Sequence, residues 1–448
     1  MPTKVATVAA AFKQFQEIGP TFDDPSKLQL QLSSLLQQSF QDDPQYSTAM
    51  QILGRLFDPG VPAGHYPELA GLDNAFLKNS LDLKERYLAG RSAPSVTTNP
   101  HKSDRSEDSL ASSINEWSAL KALNMALMSC IPPRKTVAIV TSVRNEGLSI
   151  LQWLAHHRAV GIEGFFVYTN NNTDSSGELL RTLAQAGVIH LIENDVAEGV
   201  QIQKKILEHS LHLLPELREF KWVLYIDVDE FFMSNCEPER TVSSFLRKLA
   251  QTFPEAPPSA ICLNWKWFGS ENAFAQTEGT LIERFVHSIP NEHVKSLVLL
   301  RDVLSMHRVH VPDLRDGALL VNSEFEPVAA HEKMQPTYKN GQINHYWNKS
   351  FQEFVLKRAR GRISGGLSSK PLDFGSFFEW GANGRRGNLD PPDKEVLRRL
   401  HSEYCQLLKI PGVAGQLERV ELASQEALDE LSRTLDIVAL YERRGQLL

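Results

Sequence analysis

Three carboxylates in four positions, Asp227, Asp229 and Glu230, follow the apolar run Trp222-Val223-Leu224-Tyr225-Ile226 and precede Phe231-Phe232. The run is too short for a helix and reads as a strand buried on both faces. In open α/β sheets ligands bind at the carboxyl ends of strands, which is where these carboxylates fall. Asp227 and Asp229 would point apart if the strand continued. At a strand-to-loop turn both can face one hard cation. Mg²⁺ or Mn²⁺ held by one or two carboxylates, its other sites on water and phosphate, is a common grip on a nucleotide diphosphate. The chain has 54 acidic residues among 448, so an isolated Asp-x-Asp pair carries little weight. The setting at a buried strand end is what singles this pair out.

The bulk composition bounds what surrounds the pair. A length of 448 residues predicts two or three folded units. Hydrophobic content of 42% and charged content of 23% are globular values. A formal net charge of -7 supplies no basic field and argues against a general nucleic-acid binder. Cys130, Cys236, Cys262 and Cys405 lie far apart with no Cys-x-x-Cys, which argues against a disulfide framework or a zinc site. Met1 to Phe12 lacks the apolar core of a signal peptide, and no run approaches the roughly 20 apolar residues of a membrane span. We expect a soluble cytoplasmic protein, with peripheral contact at the cytoplasmic face of a membrane allowed.

The positioning elements follow from periodicity. Residues 1–89 read as a helical region: Leu28, Leu32, Leu35 and Leu36 keep helical spacing, as do Leu69, Leu72, Phe76 and Leu77. Asp23-Asp24-Pro25 and Asp42-Asp43-Pro44 each open such a stretch with an acidic cap and an early proline. Residues 90–108 are rich in Ser, Thr, Asn and Pro and read as a flexible linker, so the helical region is expected to be an independent unit. From Thr136 the pattern alternates. Strands are expected at 136–142, 164–168, 188–192, 222–226 and 260–267. Helices are expected from Gly147, around Leu179 to Leu183, over 203–214 and from Val242. This predicts an α/β domain over 109–385, a mainly parallel sheet sandwiched by helices. A C-terminal helical extension over 386–448 should hold two helices, the second running from Glu418 to Arg444.

Several motifs now carry a resemblance. Thr141-Ser142-Val143-Arg144-Asn145-Glu146, then Trp153-Leu154-Ala155-His156-His157 and Gly161, is similar to the opening of family 2-like glycosyltransferases of the GT-A type, close to the family 92 group. Tyr168-Thr169-Asn170-Asn171-Asn172-Thr173-Asp174 resembles their second-strand loop, and Ile226-Asp227-Val228-Asp229-Glu230-Phe231 their Asp-x-Asp strand. Trp267-Phe268-Gly269-Ser270, Glu283-Arg284-Phe285, His345-Tyr346, Lys349-Ser350-Phe351 and Arg360-Gly361 follow in the same order. The likeness covers roughly residues 135 to 365. Asn272-Ala273-Phe274 stands where the family usually has a Gly-His pair.

The resemblance implies a GT-A fold, a nucleotide-sugar donor and a metal. A divalent ion would neutralise the leaving diphosphate as a Lewis acid. Asp229 is the expected direct ligand, and Asp227 ligates through water or meets the ribose. His345 is the expected third ligand, ahead of His307 and His310, although a lone histidine is commonly structural. Arg144, Asn145 and Glu146 at a strand-to-helix turn, with Asn171, Asp174 and Gln203, are expected to bind the nucleotide sugar. For Glu146 and Asp174 helix capping is the plainer alternative, and for Gln203 it is a core-edge hydrogen bond. Lys349, Lys357, Arg360 and Arg362 would grip the diphosphate, or else form a solvated basic face. Glu283 is the expected catalytic base, with Glu271 and Glu230 as alternatives and a surface pair as the plain reading.

Together these residues predict a metal-dependent hexosyltransferase using Mn²⁺ or Mg²⁺. It would move a hexose from a nucleotide-diphospho-sugar, a UDP-sugar being favoured, to a glycan or lipid-linked acceptor with inversion. A sugar nucleotidyltransferase ranks lower, because 141–147 lacks the Gly-rich lysine loop of that class. A non-catalytic nucleotide-sugar-binding scaffold is the third reading, and the intact Asp227/Asp229 pair argues against it.

Overall fold

The structure is a computed structural model. It describes residues 25–43, 45–57, 66, 119, 123, 126–127, 133–194, 202–306, 310–315, 317–360, 377–378 and 387–442. Apolar and β-branched residues fill strands β1 (Lys135–Val143), β2 (Gly164–Thr169), β3 (His190–Glu193) and β4 (Phe220–Tyr225). Between them run helices α3 (Gly147–Ala159), α4 (Ser176–Gln185) and α5 (Ile202–Leu213), after the N-terminal helices α1 (Pro25–Phe40) and α2 (Tyr46–Phe57). Then come β5 (Glu230–Ser234), α6 (Val242–Thr252), β6 (Ala260–Phe268), the short α7 (Leu281–Arg284) and β7 (His287–Leu299). Strands β8 (Val303–Ser305), β9 (Asp313–Leu314), β10 (Leu320–Val321) and β11 (Gly341–His345) lead to α8 (Phe351–Ala359) and β12 (Asn388–Leu389). Helices α9 (Lys394–Leu408), α10 (Val413–Thr434) and α11 (Ile437–Glu442) close the described chain. The extension thus holds three helices where two were expected, because the second ends at Thr434.

The main sheet runs in the order β3-β2-β1-β4-β7-β6-β11-β5, with β10 beside β6 and β12 beside β7. Strands β1 to β4 pair in parallel, each joined to the next through a helix as the alternating pattern requires. Beyond β4 the sheet is mixed. The β4–β7, β6–β7 and β11–β5 pairs are antiparallel, and β11–β6 is parallel. Here no long helix covers the return from β6 to β7. Phe231 and Phe232 lie in β5 at the far edge of the sheet, paired with Asn344 and Ile343.

Successive residues of a strand face opposite sides, and the two cores show it. Ala138, Val140, Phe166, Tyr168, Val223 and Tyr225 belong to one cluster. Val137, Ile139, Phe165, Val167, Trp222 and Leu224 belong to the other. The first face is covered by α5 and by the N-terminal helices, whose Leu28, Leu32, Leu36, Ile52 and Leu53 join that cluster. Arg55 of α2 also pairs with Glu216. Where described, the N-terminal helices therefore share this cluster with the sheet. The second helical stretch around Leu69 to Leu77 and the 90–108 linker lie outside the described residues. The second face is covered by α3, α4, α9 and α10, which supply Leu154, Leu180, Leu400 and Val420. Among the described residues no helix is long and apolar enough to cross a membrane.

Candidate active site

Helix α3 sets the position of the carboxylates. Trp153, His156 and His157 stand three and four residues apart, so they share one helix face. Trp153 Nε1 donates to the Glu230 carbonyl at 2.8 Å, and His156 Nε2 lies 2.8 Å from the Phe232 carbonyl. The Phe232 amide donates to His157 Nε2 at 3.1 Å, so the His157 proton sits on Nδ1, which lies 2.9 Å from the Trp153 carbonyl. Accepting at Nε2 needs a neutral His157 ring, and burial favours the neutral form of both rings: it pushes His156 down to about 4 and holds His157 well below the usual histidine range. The latch fixes the first turn of β5, immediately after Asp229.

The Asp-x-Asp turn is closed by Glu230. Its Oε2 accepts from the Asp227 amide at 3.0 Å, while the Glu230 amide donates to the Asp227 carbonyl at 3.0 Å. Glu230 is fully buried, and burial pushes its carboxyl up to about 8 against the pull of Lys295. Lys295, also buried, donates to Asp227 Oδ2 at 3.2 Å and lies 3.3 Å from Glu230 Oε2. Asp227 itself stays half-exposed at the rim.

Asp229 is 5% exposed, and α8 and the end of β11 converge on it. Lys357 of α8 donates to its Oδ2 at 2.5 Å, and His345 at the end of β11 brings Nε2 within 3.7 Å of the same oxygen. The Tyr346 amide holds its carbonyl at 2.8 Å. Burial opposes ionisation, yet Lys357, His345 and Lys349 together keep the carboxyl well below the usual aspartate range. Asp229 is thus a fixed anion. Among the described residues no three His, Cys, Asp or Glu side chains form a group that could hold a metal ion. Asp229 and His345 bring an oxygen and a nitrogen donor together, with Asp227 at the rim.

The first-strand turn lies beside them. Glu146 is buried between Arg360, which pairs with Oε1, and Lys349, 3.1 Å from Oε2. Burial opposes its charge, and Arg360 with Lys349 lowers its pKa all the same. Lys349 also donates to Ser149 Oγ at 2.6 Å, and Arg360 to the carbonyls of Arg144 and Asn145. Asn145 binds across to the next loop: its amide donates to Asn172 at 2.9 Å and its side chain bonds Thr173. Asp174 accepts from the Gly147 and Ser176 amides, capping α3 and α4 together. Asn145 and Lys349 both hold positive φ, 51° and 53°, which costs a non-glycine residue and is typical of functional loops. Asn145, Glu146, Asp174, Lys349, Lys357 and Arg360 line one cavity of about 320 Å³, roofed by Ala423 and Ser424 of α10.

The glycosyltransferase family 92 profile matches residues 137–374, more than half of the chain. The chain belongs to glycosyltransferase family 92. Family 92 proteins of Ricinus communis and of Oryza sativa subsp. japonica are 33% and 25% identical to it over 96 residues. Those 96 residues are 21% of this chain and 17% and 16% of the relatives, so the match spans about a sixth of the length of the curated relatives. Among solved structures, the crystal structure of S. aureus TarS 1–349 in complex with UDP matches at 9% identity and a TM-score of 0.28, over 70% of this chain and 87% of that one.

In this family 92 chain some expected site residues stand elsewhere. Glu283 caps α7: its Oε2 accepts from the Thr280 amide and hydroxyl at 2.9 and 2.7 Å, and Oε1 lies 2.9 Å from His401 Nε2 of α9. Both oxygens are thus engaged in holding α7 to α9. Glu271 is likewise held by the Val286 and His287 amides and the His287 ring. Glu230 is buried under the turn it closes. His310 bonds the Val294 carbonyl, and His307 and Arg362 lie outside the described residues. Gln203 is half-buried in the first turn of α5, and Asn171 is exposed in its loop with a φ of 46°. The Asn272-Ala273-Phe274 departure meets the C-terminal extension: Tyr441 of α11 donates to the Asn272 carbonyl and packs on Phe274 at 5.1 Å. Two residues were passed over. Asn170 and Asn194 are buried at the carboxyl ends of β2 and β3, and no hydrogen bond satisfies either amide among the described residues. Only their place just after a strand hinted at this.

Proposed function

We propose that this family 92 chain is a metal-dependent hexosyltransferase. It takes a hexose from a nucleotide-diphospho-sugar, a UDP-sugar, and passes it to a hydroxyl of a glycan or lipid-linked acceptor. The observation that carries the reading is the convergence of Asp229, His345 and Lys357 at the turn between β4 and β5, in a chain of this glycosyltransferase family. Asp229 and His345, with Asp227 through water, are the residues that would hold Mn²⁺ or Mg²⁺, and the ion would supply Lewis-acid stabilisation of the leaving diphosphate. Asn170 and Asn194 each offer an unmet donor and acceptor, which suits the imide edge of a uracil base.

In the transfer the acceptor hydroxyl would give its proton to solvent water as its oxygen bonds the anomeric carbon, while the bond to the β-phosphate oxygen breaks and its electron pair leaves with the diphosphate. Lys357 and Lys295, paired with Asp229 and Asp227, would supply positive charge toward that growing negative charge. Free Cys236, Cys262 and Cys405 fit a reducing, cytoplasmic setting. Incubation with a panel of nucleotide sugars, with and without Mn²⁺, and NMR of the product anomer test the reading. Mn²⁺-dependent release of UDP with an inverted anomeric centre supports it, and no release from any donor overturns it.

A further inference from the structure

The C-terminal helices reach the site through α8. The first two amides of α8, Phe351 and Gln352, donate to the carbonyls of Ala273 and Phe274 at 2.9 and 3.0 Å. A helix's first amides have no partner within the helix, so the 271–274 loop is the seat of α8. That seat is strained: Glu271 and Asn272 both hold positive φ, 49° and 52°. On one side the Glu271 carboxylate ties it to the Val286 and His287 amides. On the other, Tyr441 of α11 donates to the Asn272 carbonyl. The Tyr441 ring lies 5.1 Å from Phe274, 5.3 Å from Phe351 and 6.2 Å from Phe378. At its far end α8 delivers Lys357 to Asp229, and Arg360 just beyond it to Glu146. Tyr441 stands well past residue 374, where the match to the family profile ends.

We propose that Tyr441 is a positioning residue: it clasps the 271–274 loop, and through it α8, so that Lys357 and Arg360 meet Asp229 and Glu146. Its effect on a bound donor rests on the glycosyltransferase reading. The coupling runs through packed and hydrogen-bonded groups at every step, from the Tyr441 hydroxyl to the Asn272 carbonyl, from the Ala273 and Phe274 carbonyls to α8, and along α8 to Lys357. Helix α8 is nine residues long, and its buried Phe351, Phe354 and Val355 pack it as one body. Lys357 stands six residues, about 9 Å, along it from Phe351, so a tilt at the seat moves the ammonium off the carboxylate. Helix α10, which precedes the clasp, is anchored at its start by buried Val413 and Val420 and walls the cavity beside Lys357 and Arg360 with Ala423 and Ser424. Tyr441 thus closes a strap whose other end is already fixed in the core.

Amide hydrogen exchange of the parent, Tyr441→Ala and Tyr441→Phe reads α8 directly, and calorimetric titration with UDP in the presence of Mn²⁺ reads the site. Tyr441→Phe keeps the ring and loses the hydrogen bond, and it carries the test if Tyr441→Ala misfolds. We expect the amides of 351–359 to exchange about tenfold faster in Tyr441→Ala while those of β1 and β2 keep the parental rate. UDP should bind Tyr441→Ala about tenfold more weakly, with Tyr441→Phe between it and the parent. In a Lys357→Ala background the loss from Tyr441→Ala should shrink to about threefold or less, because one of the cations it positions is gone. A purely structural tyrosine would lower stability without this dependence on Lys357. Parental exchange across α8, faster exchange with parental UDP affinity, or an equal loss with and without Lys357 overturns the positioning role. A parent that binds no UDP removes the transferase reading, and α8 exchange then decides the clasp by itself.

Discussion

Replacing Glu146 with Gln keeps the side chain's size and removes the one anion between two buried cations. Glu146 is 9% exposed, with Arg360 on one oxygen and Lys349 on the other. Breaking a buried ion pair costs about 3–5 kcal/mol, because a charge is left uncompensated. Here Lys349 retains Ser149 and Arg360 retains two backbone carbonyls, so we take the low end, about 3 kcal/mol. The folded pKa of Glu146 lies below its ordinary 4.5. Its stabilisation is therefore fully present above that value and is lost as pH falls through the folded value. Urea denaturation of both proteins should show the full gap at about pH 7, with unchanged slope, and a narrower gap at about pH 3. A gap under about 1 kcal/mol at neutral pH, or one that does not change with acid, would refute the buried-network account.

Glu283→Gln should leave turnover within about threefold and stability within about 1 kcal/mol, since Gln also closes a capping box; a loss of about a hundredfold in kcat restores it as the base. The neutral histidine latch makes stability fall as pH drops from 6.5 to about 4, where unfolded His156 takes a proton and folded His156 does not. The expected slope is about 1.4 kcal/mol per pH unit for each latch histidine, and a flat urea-stability profile across that range contradicts it. Deleting residues 1–57 strips Leu28, Leu32, Leu36, Ile52 and Leu53 from the face carrying Ala138 and Phe166, and should give insoluble or molten protein. A soluble product with a cooperative urea transition shows that face to be self-sufficient.

Local patterns were legible where local physics sets the structure. The strands at 135–143, 164–169 and 220–225 and their helices follow the apolar period, and the Asp227/Asp229 turn falls where the strand ends. His345 comes to Asp229 because β11 pairs with β5 in register, His345 opposite Glu230, a fact of sheet order that no window of sequence contains. The same holds for Lys295 on Asp227 and for the α3 latch, whose partners lie 68 and about 75 residues away. Glu283 is a different case. Thr280-Leu281-Ile282-Glu283 is itself a capping-box pattern, so the local signal for a structural role was present. The helices covering the β1–β4 face looked detachable because the intervening 90–108 segment has linker composition, and composition says nothing of what a helix packs against.

The transferase account turns on Asp229 serving the donor and its metal rather than the core. The most direct measurement is release of UDP from UDP-sugars by the parent and by Asp229→Asn, titrated with Mn²⁺ and with EDTA. We expect Mn²⁺-dependent release by the parent, abolished by EDTA, and a loss of at least about a hundredfold in Asp229→Asn at saturating Mn²⁺, with its thermal unfolding still cooperative. Near-parental release by a folded Asp229→Asn, or parental release that EDTA does not touch, would contradict it.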